Sequence, residues 1–286
     1  MQHVLSTHMF VGHRLSTVWL DKVWNAGVPA VEIFCAKQHL DYRDPAQVRE
    51  LGHWFRDAQL KLHSLHSPMF SDEVWGRSGP SAALDITEPV KSKRLAIVDE
   101  IKRAIEVSEA IPCNYLVQHL GASGSEYDER RVDAAFSALE EINLFAHQRG
   151  VEVLLENIPN EFSSPERLVH FLDTTHLKLN FCFDAGHANL NGNVAAAFDT
   201  MQDRIRSTHL HDNDGASDQH LFPFFVKGAS MDWKQLMRRF QPCQNQFPLL
   251  LELQEDPELS LARSLENVQQ IFEKLESLVS ASADNE

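Results

Sequence analysis

Short runs of consecutive apolar residues recur along the chain, separated by longer stretches in which apolar residues return every three or four positions. An unbroken apolar run predicts a strand that is covered on both faces, as in a parallel sheet. The runs predict strands at residues 4–10, 30–36, 60–66, 115–120, 151–156, 181–183, 208–211 and 248–253. The spaced stretches predict amphipathic helices at residues 16–26, 44–58, 90–111, 129–149, 194–201, 232–240 and 261–279, with a further helix that begins at Ser164-Pro165.

This alternation of strands and helices predicts the fold class. Eight strand–helix units fill 286 residues without a linker of different composition. We therefore expect a single (β/α)8 TIM barrel over residues 1–286, with residues 280–286 as a frayed tail. An open, doubly wound sheet is the alternative, although eight units would be many for it. The irregular stretches 69–89 and 214–229 are predicted to be loops that close over a site, with Trp75, Phe224 and Phe225 as apolar walls.

Composition and charge restrict the partners. The net charge of −15 argues against nucleic acid, because a polyanion would be repelled at long range. The four cysteines are widely spaced with no CxxC pair, which fits reduced thiols and a cytoplasmic location. No apolar run is long enough for a membrane helix, no signal peptide is recognisable, and no glycine-rich nucleotide loop follows a strand. A small-molecule substrate is the class that remains.

The candidate chemistry lies where the predicted strands end, because parallel barrel strands present their carboxyl ends at one rim. Titratable residues follow six consecutive strands, and more lie in the loop after the seventh: His66, His119, Glu156, Asp184 with His187, His211, Glu252, then Asp218 and His220. Glu156 and Glu252 each follow an apolar run, so an unpaired carboxylate there would be desolvated unless a cation compensates it. We expect Glu156, Asp184, His211 and Glu252 to hold a divalent ion of the Mn, Zn, Mg or Co type.

Structural roles compete with this interpretation for several residues. For His209, His63, His3 and His8 a hydrogen-bonded structural role is favoured over a ligand role. Asp184 could cap the helix that follows it. For His66, His119, Asp218 and His220, both a ligand role and another role stay open.

The motifs around these residues resemble a known superfamily. They are Leu-Leu-Glu-Asn (154–157), Phe-Asp-Ala-Gly-His-Ala (183–188), His-Leu-His-Asp-Asn-Asp-Gly (209–215), Asp-Gln-His-Leu (218–221), Met-Asp-Trp (231–233) and Leu-Leu-Glu-Leu (250–253). Together they resemble the sugar isomerase/epimerase superfamily of xylose isomerase-like barrels, which also includes nucleases of the endonuclease-four type. The resemblance covers nearly the whole chain. It is specific for the superfamily and does not identify the substrate.

The tagatose- and psicose-epimerase branch implies one metal ion, held by Glu156, Asp184, His211 and Glu252. It also implies that Glu156 and Glu252 are catalytic and exchange a carbon-bound proton through an enediolate, and that His187 binds the substrate. We expect His119 and His66 to bind the substrate too. Two departures from that branch bear on the substrate. Ser217 stands where the branch has arginine, which argues against a ketohexose, and residues 223–228 form a longer, more apolar loop, which indicates a different or larger substrate.

The nuclease branch implies three metal ions, and each of its ligand types has a match here, with Asp218 and His220 as additional metal ligands.

The predicted function is a divalent-metal-dependent isomerase or epimerase of a small sugar or sugar derivative. The alternatives are a phosphodiester hydrolase of the endonuclease-four type and a sugar lyase or dehydratase that uses the same residues. A homodimer is compatible with either, since barrels of this kind often pair.

Overall fold

The computed structural model describes residues 1–283, which contain an eight-stranded parallel sheet. The strands are β1 (His3–Ser6), β2 (Ala30–Phe34), β3 (Lys61–His66), β4 (Tyr115–His119), β5 (Glu152–Glu156), β6 (Asn180–Asp184), β7 (Ile205–His209) and β8 (Leu249–Leu251). Neighbours in sequence pair from β1 to β7, and β8 pairs with β1. The sheet closes where the Leu210 N–H donates to the Leu250 carbonyl at 2.8 Å. The predicted (β/α)8 TIM barrel is confirmed.

Helices follow the strands along the chain. They are α1 (Thr17–Asn25), α2 (Pro45–Asp57), α3 (Lys91–Ile105), α4 (Glu129–His147), α5 (Pro165–Thr174), α6 (Ala185–Leu190), α7 (Val194–Met201), α8 (Trp233–Phe240) and α9 (Leu261–Ala283). Several begin where a short polar side chain accepts a hydrogen bond from a first-turn N–H, as Asp44 does from Ala46 at 2.9 Å. The main core lies between these helices and the sheet.

Strand alternation divides the inside of the barrel into layers. The inward residues of one layer are apolar and form two clusters apart from the main core: Val4, Ala30 and Leu250, and Val117, Leu154 and Cys182. Successive side chains of a strand point to opposite faces, so the residue two positions later faces inward again. That rule places Ser6, Glu32, His119, Glu156, Asp184 and Glu252 in the next layer toward the carboxyl ends. The apolar layer is therefore the floor of a polar one.

The strand and helix boundaries depart from the sequence prediction in several places. β1 is short and continues into a 3-10 helix over Thr7–Phe10. β7 spans Ile205–His209 rather than residues 208–211, and the short helix α6 was not predicted. α9 continues through Ala283, past the start of the predicted tail, and residues 284–286 lie outside the described residues. All four cysteines are free. None of the helices within residues 1–283 is both long and apolar enough to cross a membrane.

Candidate metal centre

Four buried side chains converge at the carboxyl ends of β5, β6, β7 and β8. Glu156, Asp184, His209 and Glu252 each offer an oxygen or nitrogen atom, and these atoms lie within 4.8 Å of one another. The His209 Nδ1 atom is 3.0 Å from Glu156 Oε1, 3.2 Å from Glu252 Oε2 and 3.8 Å from Asp184 Oδ2. We call these four residues the central group. Three of the four residues expected to share an ion are in it.

The fourth expected ligand, His211, is not in the central group, and His209 takes that place. The apolar run predicts a strand that ends at residue 211, whereas β7 ends at His209. Both imidazoles face the barrel interior because they are two residues apart. His211 lies beyond the strand end, with Nε2 3.2 Å from Asp184 Oδ1. Both ring nitrogens of His209 are hydrogen-bonded, Nδ1 to Glu156 at 3.0 Å and Nε2 to Glu32 at 3.3 Å, so the structural role favoured for it stays a prediction beside a ligand role.

Of three further groups in the described part of the chain, one (His66, His209 and Glu252) shares all its residues with the others, and the remaining predicted site residues fall into the two that flank the central group. His66, His119 and Glu156 form one, which we call the left group. In it, Nε2 of His66 and of His119 lie 3.4 and 3.0 Å from Glu156 Oε2. His187, His211, Asp218 and His220 form the other, the right group. The chain thus brings every candidate ligand or substrate-binding residue to one rim of the barrel.

The short helix α6 explains why Asp184, Gly186 and His187 occur together. The Asp184 side chain accepts a hydrogen bond from the His187 N–H at 2.6 Å, so it caps the helix as well as facing the central group. The turn places the His187 Nε2 atom 3.1 Å from Asp218 Oδ2. A Cβ atom at Gly186 would lie 2.0 Å from Cε1 of His211. Only glycine leaves room for that imidazole.

Polar residues behind the cluster fix its backbone. Asn157 bridges β5 and β6, because its side chain donates to the Asp184 carbonyl at 2.8 Å and accepts from the Asp184 N–H at 2.9 Å. The buried Asp212 carboxylate accepts the Trp233 indole N–H at 2.6 Å and the backbone N–H groups of Ser230 and Met231 at 3.1 Å. These bonds tie both ends of the loop after β7 to the barrel.

The electrostatics of the cluster depend on imidazoles. Burial raises the pKa of Glu156, but His209 and His119 outweigh it and hold that pKa well below its usual value. Burial lowers the pKa of His187, but the carboxylates of Asp184, Asp218 and Glu156 together outweigh burial, so that this pKa lies well above the ordinary value. All ion pairs of Glu156 within residues 1–283 are made with histidines. In the ion-free protein, the imidazoles of His187 and His209, whose pKa values lie well above the ordinary value, therefore face these acidic groups as cations, whereas burial lowers the pKa of His119.

The three groups open into a cavity of about 510 Å³, which we call the rim cavity. Its apolar wall includes Phe34, Met69 and Trp75, the last from the loop over residues 69–89. Trp75 thus lies where the sequence analysis expected it. Phe224 and Phe225 do not line this cavity, and both rings instead lie near the Lys274 ammonium group. The expectation of an apolar wall from that loop is wrong for these two residues.

A sequence profile of the family described as "Xylose isomerase-like TIM barrel" matches residues 20–278. The chain belongs to this family. It is 30% identical over 232 residues to "Uncharacterized protein MJ1311" of Methanocaldococcus jannaschii, covering 77% of this chain and 74% of that protein. It is 22% identical over 253 residues to "Probable endonuclease 4" of Haloquadratum walsbyi, covering 81% of each.

Solved structures share the fold of this xylose isomerase-like barrel. A D-tagatose 3-epimerase-like protein superposes with a TM-score of 0.79 and 23% identity, over 99% of this chain and 100% of the other. The IOLI protein, solved with a bound zinc atom, superposes with a TM-score of 0.75 and 15% identity, over 99% of each chain. At these identities the likeness shows the fold, and the chemistry depends on this barrel's own residues.

The residues of the barrel fit a divalent ion. The central group offers three carboxylates and one imidazole from four different strand ends, all buried. Carboxylate oxygen and imidazole nitrogen are the usual ligands of zinc and manganese. Within residues 1–283, Asp184 and Glu252, like Glu156, pair only with histidines and with no lysine or arginine. Three buried acids without a permanent cationic partner are well suited to bind a cation.

Sequence reasoning missed Glu32, which lies behind the central group on β2. Its side chain is fully buried, with carboxylate oxygens 3.2 and 3.3 Å from Nε2 of His209. The Ser64 hydroxyl also donates to it at 2.7 Å. A carboxylate in this position fixes the ring so that Nδ1 faces the group. The available signal was a glutamate inside the otherwise apolar run Ala-Val-Glu-Ile-Phe.

Proposed function

We propose that this barrel is a divalent-metal-dependent isomerase or epimerase of an uncharged sugar or sugar derivative. The observation that carries the proposal is the placement of Glu156 and Glu252 in one buried group with Asp184 and His209, open to the rim cavity. Both glutamates line that cavity, and they arrive from strands three positions apart. Two carboxylates can thus reach one substrate carbon from different directions.

The chain's own residues supply the acid–base chemistry. The central group would hold the ion, which supplies positive charge where negative charge develops on the substrate carbonyl. One of Glu156 and Glu252 removes the proton from the carbon beside the carbonyl. The other returns a proton to the opposite face of that carbon, or to the neighbouring carbon in an isomerisation. His187 and His119 would orient substrate hydroxyls, because both line the cavity beside the glutamates.

The charge of the rim cavity supports an uncharged substrate. Glu156, Asp218, Glu252 and Glu255 line it, and no lysine or arginine among residues 1–283 does. A phosphorylated sugar usually needs such cationic donors. Sugar hydroxyls, by contrast, donate well to carboxylates, and the faces of Phe34 and Trp75 suit the apolar side of a sugar ring.

Exchange of substrate hydrogen with solvent tests the proposal. The purified protein, reconstituted with Mn, Zn, Mg or Co, would be incubated in deuterated water with a panel of ketoses, aldoses and their derivatives. We expect deuterium at one carbon beside the carbonyl, and its loss in Glu156→Gln and Glu252→Gln. Glu255→Gln is the matched control, because Glu255 lines the cavity without joining any of the three groups. Absence of exchange across the panel with every metal would refute the proposal.

A second candidate, hydrolysis of a phosphodiester, is favoured by the left and right groups. A single-ion isomerase needs the central group alone, whereas His66 with His119, and Asp218 with His220, add two more candidate ligand sets. Elemental analysis separates the two: one ion per chain supports the isomerase, and two or three support the hydrolase. A hydrolase should also cleave duplex DNA containing abasic sites, with an affinity that falls as salt increases. A lyase or dehydratase would start from the same proton abstraction and would release water from the substrate.

A further inference from the structure

A second cavity adjoins the rim cavity, under the loop over residues 69–89. It has a volume of about 210 Å³ and is bounded on one side by that loop and on the other by residues after β4. His66, Met69 and His119 line both cavities, so the two cavities meet at these residues. We call the second cavity the side pocket. A substrate bound at the left group, which contains His66 and His119, would lie against the side pocket.

The walls of the side pocket are mostly apolar. They include Phe70, Pro80, Ala83, Leu84 and Ala122. A dry cavity of about 150 Å³ lined by apolar side chains is large enough to bind benzene. The side pocket can therefore hold a substituent the size of one aromatic ring.

Two buried polar atoms in this region have no hydrogen-bond partner among residues 1–283. Ser67 and Gln118 line the side pocket, and each residue is only 3% exposed. Within the described residues Ser67 Oγ and Gln118 Oε1 make no hydrogen bond, while Gln118 Nε2 donates to the His119 carbonyl at 2.9 Å. A buried polar atom without a partner is costly, and such atoms at a cavity wall are where a ligand gains a hydrogen bond. Gln118 Oε1 can only accept, so the matching ligand atom is a donor.

We propose that the side pocket binds a ring-sized apolar substituent of the sugar, one that carries a hydroxyl or N–H group for Gln118. The substrate class is then a substituted sugar, such as an aryl glycoside with a phenolic hydroxyl, rather than a free monosaccharide. This inference rests on the proposed function for the sugar part, while the side pocket itself can be tested without turnover.

Phenol is the first probe, because it has the size and the hydroxyl but no sugar. Its binding would be measured by NMR titration on the metal-free protein and on the metal-loaded protein. We expect saturable binding by both, competition between phenol and a 4-hydroxyphenyl glycoside, and loss of phenol binding in Ala83→Met, which fills the cavity. Ser81→Met is the matched control, since Ser81 is exposed on the same loop and does not line the side pocket.

Glycosides test the chemical class. We expect the metal-loaded protein to bind a 4-hydroxyphenyl glycoside about tenfold or more tightly than the methyl glycoside, because a ring is removed from water. Ala83→Met should abolish that preference without changing metal content. Gln118→Leu should keep the preference for a phenyl over a methyl glycoside but lose the gain from the hydroxyl.

The outcomes of this test are separable from those of the exchange test. Aryl glycosides that bind as expected but show no deuterium exchange would support the side pocket and refute the isomerase. The side-pocket proposal would be refuted by three results together: unsubstituted sugars exchange deuterium, phenol does not bind, and Ala83→Met leaves all affinities unchanged. Equal loss of phenol binding in Ser81→Met and Ala83→Met would also refute it, because the effect would then not come from filling the cavity.

Discussion

Glu32 offers the sharpest test of how the metal centre is built. Replacing it with glutamine keeps the side-chain volume but removes the negative charge beside Nε2 of His209. Burial raises the pKa of Glu32, but His209 more than offsets this and lowers it to about 2, so the residue is a carboxylate at neutral pH. We expect Glu32→Gln to weaken binding of the ion because His209 loses the group that fixes its ring and increases its basicity.

The magnitude follows from the position of Glu32 behind a single ligand. Removing such an outer partner typically weakens metal affinity about 10- to 100-fold. Glutamine can still present its carbonyl oxygen to His209, so the lower end, about tenfold or about 1.4 kcal/mol, is expected. At an ion concentration of 100 times the wild-type Kd, the ion stabilises the wild type by about 2.7 kcal/mol and the variant by only about 1.4 kcal/mol.

Affinity would be measured by competition with a chromophoric chelator on stripped protein, and stability by urea unfolding with and without the ion. The matched control is Glu100→Gln, because Glu100 is also buried but pairs with Tyr42 and Arg43 away from the three groups. That variant should lose stability equally with and without the ion and keep the wild-type Kd. An unchanged Kd in Glu32→Gln would refute the reasoning.

Three further outcomes are expected. Burial lowers the pKa of His220, but the Asp218 carboxylate more than offsets this, so that the pKa lies at about 9. The proton on His220 therefore stabilises the ion-free protein fully below pH 6.5, and this stabilisation is lost as the pH rises through 9. If the right group holds an ion, metal binding must displace that proton from His220. Calorimetry in two buffers should then show proton release, and the metal affinity should rise with pH. If no protons are released, His220 is not a metal ligand. Gly186→Ala should destabilise the protein by about 1–3 kcal/mol in thermal unfolding despite alanine's better helix propensity, because the added methyl group displaces the His211 ring; a more stable variant would contradict the close approach. Asp212→Ala should cost about 3 kcal/mol and expose the loop after β7 to limited proteolysis, since four N–H donors lose their acceptor. An unchanged protease pattern would contradict this anchoring role.

The sequence was sufficient to predict the fold because continuous apolar runs separated by amphipathic helices leave few other arrangements. It also located Glu156, Asp184 and Glu252 at strand ends, because each carboxylate ends an apolar run. The choice between His209 and His211 could not be made in that way. They are two residues apart on the same face, so alternation alone does not say which layer each occupies. Only the start of β7 at Ile205 decides which of the two imidazoles lies in which layer.

Other features of the site depend on contacts that no local pattern encodes. The helix α6 has six residues, too few for an apolar period to be recognised. The wall shared by the two cavities brings together Met69 of an irregular loop with His66 and His119 from the ends of β3 and β4. Glu32 could have been noticed as a charge inside an apolar strand, but its partner His209 is 177 positions away in sequence.

The layered interior also restricts how such a protein can change over evolution. The apolar floor and the polar layer are built from inward-facing residues of the same strands. Inserting or deleting one residue within β5 or β6 would therefore turn Glu156 or Asp184 toward the helices, where its charge would be buried among hydrocarbon side chains. Length variation is therefore tolerable only outside the strands, in segments such as the one between β3 and α3. New substrates would be acquired by remodelling those segments, while the barrel that positions the carboxylates is inherited intact.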